Sequence, residues 1–292
     1  MPWIPRGLRE GVVTSRYPRR RDGYGPVFRA AVRVIDAADA TTRIEDSVAA
    51  CPTGAITIHD GRPRIDQGSC ILCGRCTELR PDVFRFDPGF ETAELRREAL
   101  VVPEITESDE VLRLASAELG RRVRALRKSV HIRHIDVGSD GSDEWEVAAL
   151  TNPVYDVQRL GVFFTASPRH ADLLLATGVG TVGMLDALRQ TYEAMPEPKV
   201  VIAAGVEAIS GGLLGRGYAS HGGIATTVPV DVFVPGSPPS PFSLLYGILL
   251  AIGRLSTADR APGGRSPRSQ GKDLGTARSD LYSEGFGMEG RI

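Results

Sequence analysis

The sequence predicts an α/β protein: a small cysteine-bearing domain of short strands, then a larger domain built on a parallel sheet. Three observations predict it. Apolar strand-like runs at 131–136, 171–177, 199–204 and 230–234 are interleaved with helical stretches, and alternating strands and helices imply a parallel sheet covered on both faces. All four cysteines fall within residues 51–76, ahead of those runs. A helical stretch over 104–128 joins the two regions.

Bulk properties fit two domains in 292 residues, with 42% hydrophobic and 24% charged residues. A formal net charge of −1 gives no electrostatic case for a nucleic-acid partner. Residues 1–10 hold no apolar core of a signal peptide, and the longest apolar run, 242–252, is too short to span a bilayer. The expected location is cytoplasmic, with any membrane reached through partners.

Residues 1–33 are rich in Arg, Gly and Pro and carry Arg19-Arg20-Arg21. They read as an irregular basic arm, either solvated or wrapped on a partner.

Residues 34–90 form the first domain. Runs at 55–58 and 64–66 predict two short strands with a turn at Asp60-Gly61, and 83–86 predicts another. Cys70-Ile71-Leu72-Cys73-Gly74-Arg75-Cys76 places three thiols two residues apart on one turn. Bacterial two-cluster proteins use C-x2-C-x2-C-x3-C-P, with the fourth cysteine of each run ligating the other cluster. Here Arg80 holds the fourth place before Pro81. Reading back from Cys51-Pro52, Thr41, Ile44 and Ser47 hold the first three places of the other run. Crossed ligation then pairs Cys51 with Cys70, Cys73 and Cys76 in one [4Fe–4S] cluster, and its twin keeps no ligand. Zinc prefers two separated ligand pairs, and disulfides suit secreted chains, so both are weaker readings.

This segment resembles a bacterial-type two-cluster ferredoxin, in particular the ferredoxin-like subunit of complex I and of energy-converting hydrogenases. Tyr17-Pro18 and Asp36 also fit that subunit. The resemblance implies a ferredoxin-like α+β fold.

Residues 91–128 are read as a connecting helix. Thr106 or Ser108 would cap it, Glu107, Asp109 and Glu110 lie in or beside its first turn, and Arg121, Arg122, Arg124 and Lys128 end it. Val111, Leu112, Ala115, Leu119, Val123 and Leu126 form an apolar stripe for packing.

Residues 129–255 form the second domain. Beside the four strand runs, 184–195 and 243–255 predict helices. Gly178-Val179-Gly180-Thr181-Val182-Gly183 follows a strand and opens a helix, with Glu207 past the next strand, as a dinucleotide fingerprint requires. After Leu255, Gly, Ser, Arg and Pro dominate, and 256–292 read as a disordered tail.

The flanks of that glycine run point elsewhere. Ser167-Pro168-Arg169-His170-Ala171-Asp172, Pro198-Lys199-Val200-Val201 and Pro235-Gly236-Ser237-Pro238-Pro239 are similar to the small subunit of group 4 [NiFe] hydrogenases. That is also the family of the 20 kDa (B-type) subunit of NADH-quinone oxidoreductase. Asn152-Pro153-Val154-Tyr155-Asp156 and Thr191-Tyr192-Glu193-Ala194-Met195-Pro196 add to the likeness. The resemblance implies a flavodoxin-like sheet, makes 178–183 a packing turn, and implies four cysteine ligands for a proximal cluster. Those places hold Asp140, Asp143, Glu207 and Ser237. Oxygen ligands suit hard cations, not a conventional cubane. Three converging carboxylates would repel one another. Water with Arg133, Arg169 or His134 would relieve them, or a divalent cation such as Mg²⁺.

The two resemblances together imply a fusion of neighbouring subunits. The function they imply is an iron–sulfur electron-transfer subunit of a membrane-associated hydrogenase-like or complex I-like complex, with no enzymatic activity of its own. Its partners would be a hydrogenase large subunit-like or quinone-pocket-like subunit and membrane ion-translocating subunits. The alternative is a non-redox structural subunit whose cluster only stabilises the fold. A metal-dependent enzyme built on the carboxylates is the third reading.

Overall fold

The computed structural model describes residues 3–20, 25, 28–35, 44–103, 109–127 and 129–255. The tail expected over 256–292 lies outside the described residues, as do Asp36, Thr41, Thr106, Glu107, Ser108 and Lys128.

The chain opens with helix α1 (Trp3–Glu10), exposed throughout, and strand β1 (Arg29–Val34). Helix α2 (Ile44–Ala50) follows, then β2 (Ile56–His59) and β3 (Arg62–Asp66). Asp60 and Gly61 both take positive φ between these strands, as a two-residue hairpin turn demands. Helix α3 (Arg75–Leu79), β4 (Phe84–Pro88) and β5 (Val101–Val102) complete this region. β1 pairs antiparallel with β4, and β3 lies between β2 and β5, antiparallel to both. Val32, Ile56, Ile65, Val83 and Phe84 form its small core, with Cys51, Cys70 and Cys76 packed at the edge.

Helix α4 (Asp109–Arg122) follows. Of the expected apolar stripe, Leu119, Val123 and Leu126 are buried in the main core, and Ala115 packs against it. Ahead of α4, Glu94 makes two backbone hydrogen bonds with Phe233, at 2.9 and 2.8 Å. The segment expected as one connecting helix thus begins as an extended strap.

Then come β6 (Val130–Asp136), α5 (Ser142–Ala149), β7 (Val162–Phe164) and β8 (Leu173–Thr177). α6 (Leu185–Ala194), β9 (Val200–Ala204), α7 (Gly205–Ser210), β10 (Val232–Val234) and α8 (Pro241–Ala251) complete the chain. The five strands form one parallel sheet in the order β10-β9-β8-β6-β7. Leu173 and Leu175 point to one core with α4 and α8, and Leu174 and Ala176 to the other with α6 and α7. Burial on both faces explains why these strands read as continuous apolar runs. The fold is thus mixed α/β with a five-stranded parallel sheet, consistent with a flavodoxin-like domain.

The N-terminal stretch departs from a solvated arm. Thr14 Oγ1 donates to Pro153 O at 2.8 Å, and Ser15 N–H to Val154 O at 2.8 Å. Arg159 Nη2 donates to Tyr17 O at 2.7 Å. Tyr17 is 2% exposed and packs edge-on against Phe90 and Phe242. An aromatic anchor two residues past a polar pair overrides the basic, Pro-rich composition around it.

Candidate functional site

Cys51 sits just past α2, where Pro52 stops the helix. Cys70 and Cys73 lie on the loop before α3, and Cys76 in its first turn. Leu72 and Gly74 take positive φ, 54° and 81°, and so curl this loop back on itself. The result is one depression of about 360 Å³, partly open to solvent, lined by all four cysteines and by Val32, Ile56 and Ile65.

The sulfurs act on one another. Burial pushes the Cys70 thiol up to about 12, with like-charge contributions from Cys76, Cys51 and Cys73 and an opposing hydrogen bond from the Leu72 backbone. Burial, then Cys73, raises Cys76 as well. Thiols that disfavour each other's ionisation are neutralised by a cationic core. Among the described residues, no three His, Cys, Asp or Glu side chains gather tightly enough for a single metal ion. A cubane is broader than one ion, and four thiols round an apolar-walled depression are the donor set it requires.

The twin positions are filled differently. Ile44 is 1% exposed, and Ser47 is fully buried. Arg80 is bound to Asp82, Nε to Oδ1 at 2.9 Å and Nη2 to Oδ2 at 2.6 Å. Ile44 is thus a core side chain and Arg80 half of an ion pair.

The glycine run at 178–183 is closed to phosphate. Val179 N–H donates to Gly138 O, Thr181 N–H to Val137 O, and Val182 N–H to Ala219 O. A Cβ on Gly178 would lie 2.7 Å from Gly138 C, and one on Gly180 2.4 Å from Gly223 O. These glycines serve backbone-to-backbone packing.

The acidic positions lie at the carboxyl ends of β6 and β9. Asp143 sits in the first turn of α5 and Glu207 in α7. Asp140 is exposed, and hydrogen bonding from Ser142, its side chain first and then its N–H to Oδ1 at 2.9 Å, holds the carboxyl below the usual range. Ser237 is exposed. Burial pushes Asp143 up to about 8, aided by Glu207, Glu144, Asp140 and Asp136. Burial also pushes Glu207 up to about 7, aided by Asp140, Glu144 and Asp136.

Two members of this cluster, Asp136 and Glu144, escaped the sequence reading. Asp136 Oδ1 accepts the Gly138 and Ser139 N–H groups, each at 2.8 Å. Glu144 Oε2 accepts Ser139 Oγ–H at 2.5 Å, and its Oε1 accepts Thr177 Oγ–H. A Gly-Ser-Asp-Glu run entering a helix was the available signal. Asp140, Asp136 and Glu144 act on both Asp143 and Glu207. Arg169 is exposed, and burial lowers His134 below its ordinary value. His134 instead faces Thr177 at 3.0 Å.

Residues 141–251 match the family described as NADH ubiquinone oxidoreductase, 20 Kd subunit. Formate hydrogenlyase subunit 7 of Escherichia coli (strain K12) is 35% identical over 167 residues, 57% of this chain and 64% of that protein. The probable membrane-bound hydrogenase subunit mbhJ of Pyrococcus furiosus is 36% identical over 148 residues, 51% of this chain and 87% of that protein. The B-type NADH-quinone oxidoreductase subunit of Geotalea daltonii is 47% identical over 104 residues, 36% of this chain and 61% of that protein. Among solved structures, a chain of the membrane-bound sulfane sulfur reductase, an archaeal respiratory membrane complex, is similar at 32% identity and a TM-score of 0.40, over 46% of this chain and 77% of that one. The chain thus spans about two thirds of the length of formate hydrogenlyase subunit 7. All four cysteines precede the matched stretch, which contains Asp143, Glu207 and Ser237. With 87% of mbhJ covered at 36% identity, the chain belongs to the family of the NADH ubiquinone oxidoreductase 20 Kd subunit.

Proposed function

We propose that the chain is an electron-transfer subunit of a membrane-associated hydrogenase-like or complex I-like complex, and that Cys51, Cys70, Cys73 and Cys76 hold one [4Fe–4S] cluster. The observation that carries this reading is the convergence of all four cysteines on one depression. When bound, such a cluster supplies a one-electron centre. The chain's own residues would hold it, exclude water along the Val32, Ile56 and Ile65 wall, and direct the Leu72 N–H at the Cys70 sulfur.

In this reading the cysteine-bearing region corresponds to a ferredoxin-like subunit fused to the family domain. The partners are a large subunit resembling that of a hydrogenase or a quinone pocket, and membrane subunits that move ions. The chain sits at the cytoplasmic face through those partners and has no reaction of its own. Among the described residues, no helix is long and apolar enough to cross a membrane.

A second reading, a structural subunit with a non-redox cluster, is favoured by the carboxylates where a terminal cluster would need thiols. Anaerobic purification, iron and sulfide analysis and EPR after reduction test both. About four irons per chain with a reducible signal supports electron transfer. A cluster that resists reduction supports the structural role, and zinc in place of iron overturns the cluster assignment.

A further inference from the structure

Where β6, α5 and α7 meet, the chain buries Asp143 and half-buries Glu207. Asp143 is 3% exposed, and its Oδ2 is buried with no hydrogen-bond partner among the described residues. Glu207 Oε2 is likewise buried and unpartnered. Gly205 backs directly onto the Asp143 carboxyl: a Cβ there would lie 2.3 Å from Oδ2. We propose that Asp143 and Glu207 form a proton-binding site, a buried acid pair that holds a proton at neutral pH.

The surrounding hydrogen bonds reach the neighbouring acids. Asp136 is tied to the Gly138 and Ser139 N–H groups, Asp140 to Ser142 N–H, and Glu144 to Ser139 and Thr177. Donors aimed at a carboxylate favour its ionised form. Asp136, Asp140 and Glu144 act on Asp143 from the end of β6, the β6–α5 loop and α5. Asp143 Oδ2 and Glu207 Oε2 are the oxygens left without donors. On the basic side, β6 offers His134 and Arg133. Burial, and then the charge of Arg133, disfavours the protonated imidazole of His134, which faces Glu144 and Thr177. A buried carboxylate oxygen left without a donor and set among other acids is relieved by a proton.

A divalent cation is the competing ligand. Among the described residues no three carboxylates converge closely enough to hold one. A proton needs a single oxygen, and two are free. Any negative charge brought near this pocket raises the proton occupancy, so the pair is a site of charge compensation.

Infrared difference spectroscopy on the full chain, between about pH 5 and pH 10, tests this. A C=O stretch of a protonated carboxylic acid, sensitive to deuterium exchange, is expected at neutral pH and lost on the alkaline side. Asp143→Asn should remove the part of the band that is lost at the higher pH and leave the weaker part that belongs to Glu207. Glu207→Gln should keep it and move its midpoint to lower pH, because one anionic neighbour is gone. Circular dichroism checks that each variant folds, and if Asp143→Asn does not, the midpoint shift in Glu207→Gln decides. The proposal is overturned by absence of the band, by an unchanged band and midpoint in folded Asp143→Asn, or by an unmoved midpoint in Glu207→Gln. It is equally overturned if Mg²⁺ raises the melting temperature of the unsubstituted chain and not of Asp143→Asn or Glu207→Gln.

Discussion

Gly68 lies against Ile209. A Cβ on Gly68 would fall 2.8 Å from Ile209 Cγ2 and 2.9 Å from the Arg97 guanidinium carbon. Arg97 in turn grips Asp66 with two parallel bonds, Nη1 to Oδ1 at 2.7 Å and Nη2 to Oδ2 at 2.5 Å. Asp66 also accepts Gly68 N–H at 2.9 Å and Ser69 Oγ–H at 2.7 Å. The loop entering Cys70 is therefore seated on α7, the helix that carries Glu207. Gly68→Leu should overpack this junction, at a cost of about 1–3 kcal/mol, and lower the iron bound per chain. Urea denaturation and iron analysis check it, and unchanged values in both would show that the junction yields freely.

Tyr17 anchors the N-terminal stretch in the main core, with its hydroxyl donating to Glu91 Oε1 at 3.2 Å. Tyr17→Ala should cost about 3–5 kcal/mol, as aromatic truncations in cores do. Residues 3–16 should then become sensitive to limited proteolysis while the sheet keeps its circular dichroism. A protection pattern identical to the unsubstituted chain would contradict the anchoring role.

Each cysteine tests the shared depression separately. Cys51→Ser and Cys73→Ser change positions that are distant in sequence and line one cavity. Both should lose most of the iron, because a cubane with three thiolates and a poor fourth ligand is labile. Iron and sulfide analysis after anaerobic purification measures this. Full iron retention in Cys51→Ser would detach it from the set.

Legibility in the sequence followed burial. β8, β9 and β10 are buried on both faces, so unbroken apolar runs such as Leu173-Leu174-Leu175 marked them. β7 is three residues long with Phe163 exposed, and α7 is six residues opening on a glycine, so neither shows a period. The three cysteines of 70–76 are close in the chain, and a local motif exposes them. Asp136 joins Asp143 through the approach of β6 to α5, which depends on tertiary packing, and Ser237 is exposed.

The tempting glycine run makes its own prediction. Gly180 has a φ of 74°, and its Cα faces the Gly223 carbonyl. Gly180→Ala meets both a left-handed backbone and that carbonyl, so a loss of about 2 kcal/mol or more is expected. Chemical denaturation measures it. Titration with NADH, followed by fluorescence, should show no binding to the unsubstituted chain, and saturable binding would restore the nucleotide reading.

The pH dependence of stability follows from Asp143 and Glu207. Both bind a proton more tightly when folded than when unfolded, with folded values of about 8 and about 7. Stability is therefore greatest at low pH, near the ordinary carboxylate value of about 4, and falls as pH rises through 7 and then 8. Asp140, held low by Ser142, acts in the opposite sense but only at and below that ordinary range. At about 1.4 kcal/mol per unit, buried Asp143 accounts for a loss of a few kcal/mol between about pH 5 and pH 9, and the more exposed Glu207 adds less. Urea midpoints measured across this range should decline in the unsubstituted chain. Asp143→Asn has no proton to lose there, so most of the decline should vanish. A midpoint that holds steady to about pH 9 in the unsubstituted chain would mean that Asp143 ionises without penalty, and that the acids of this pocket are solvated rather than buried.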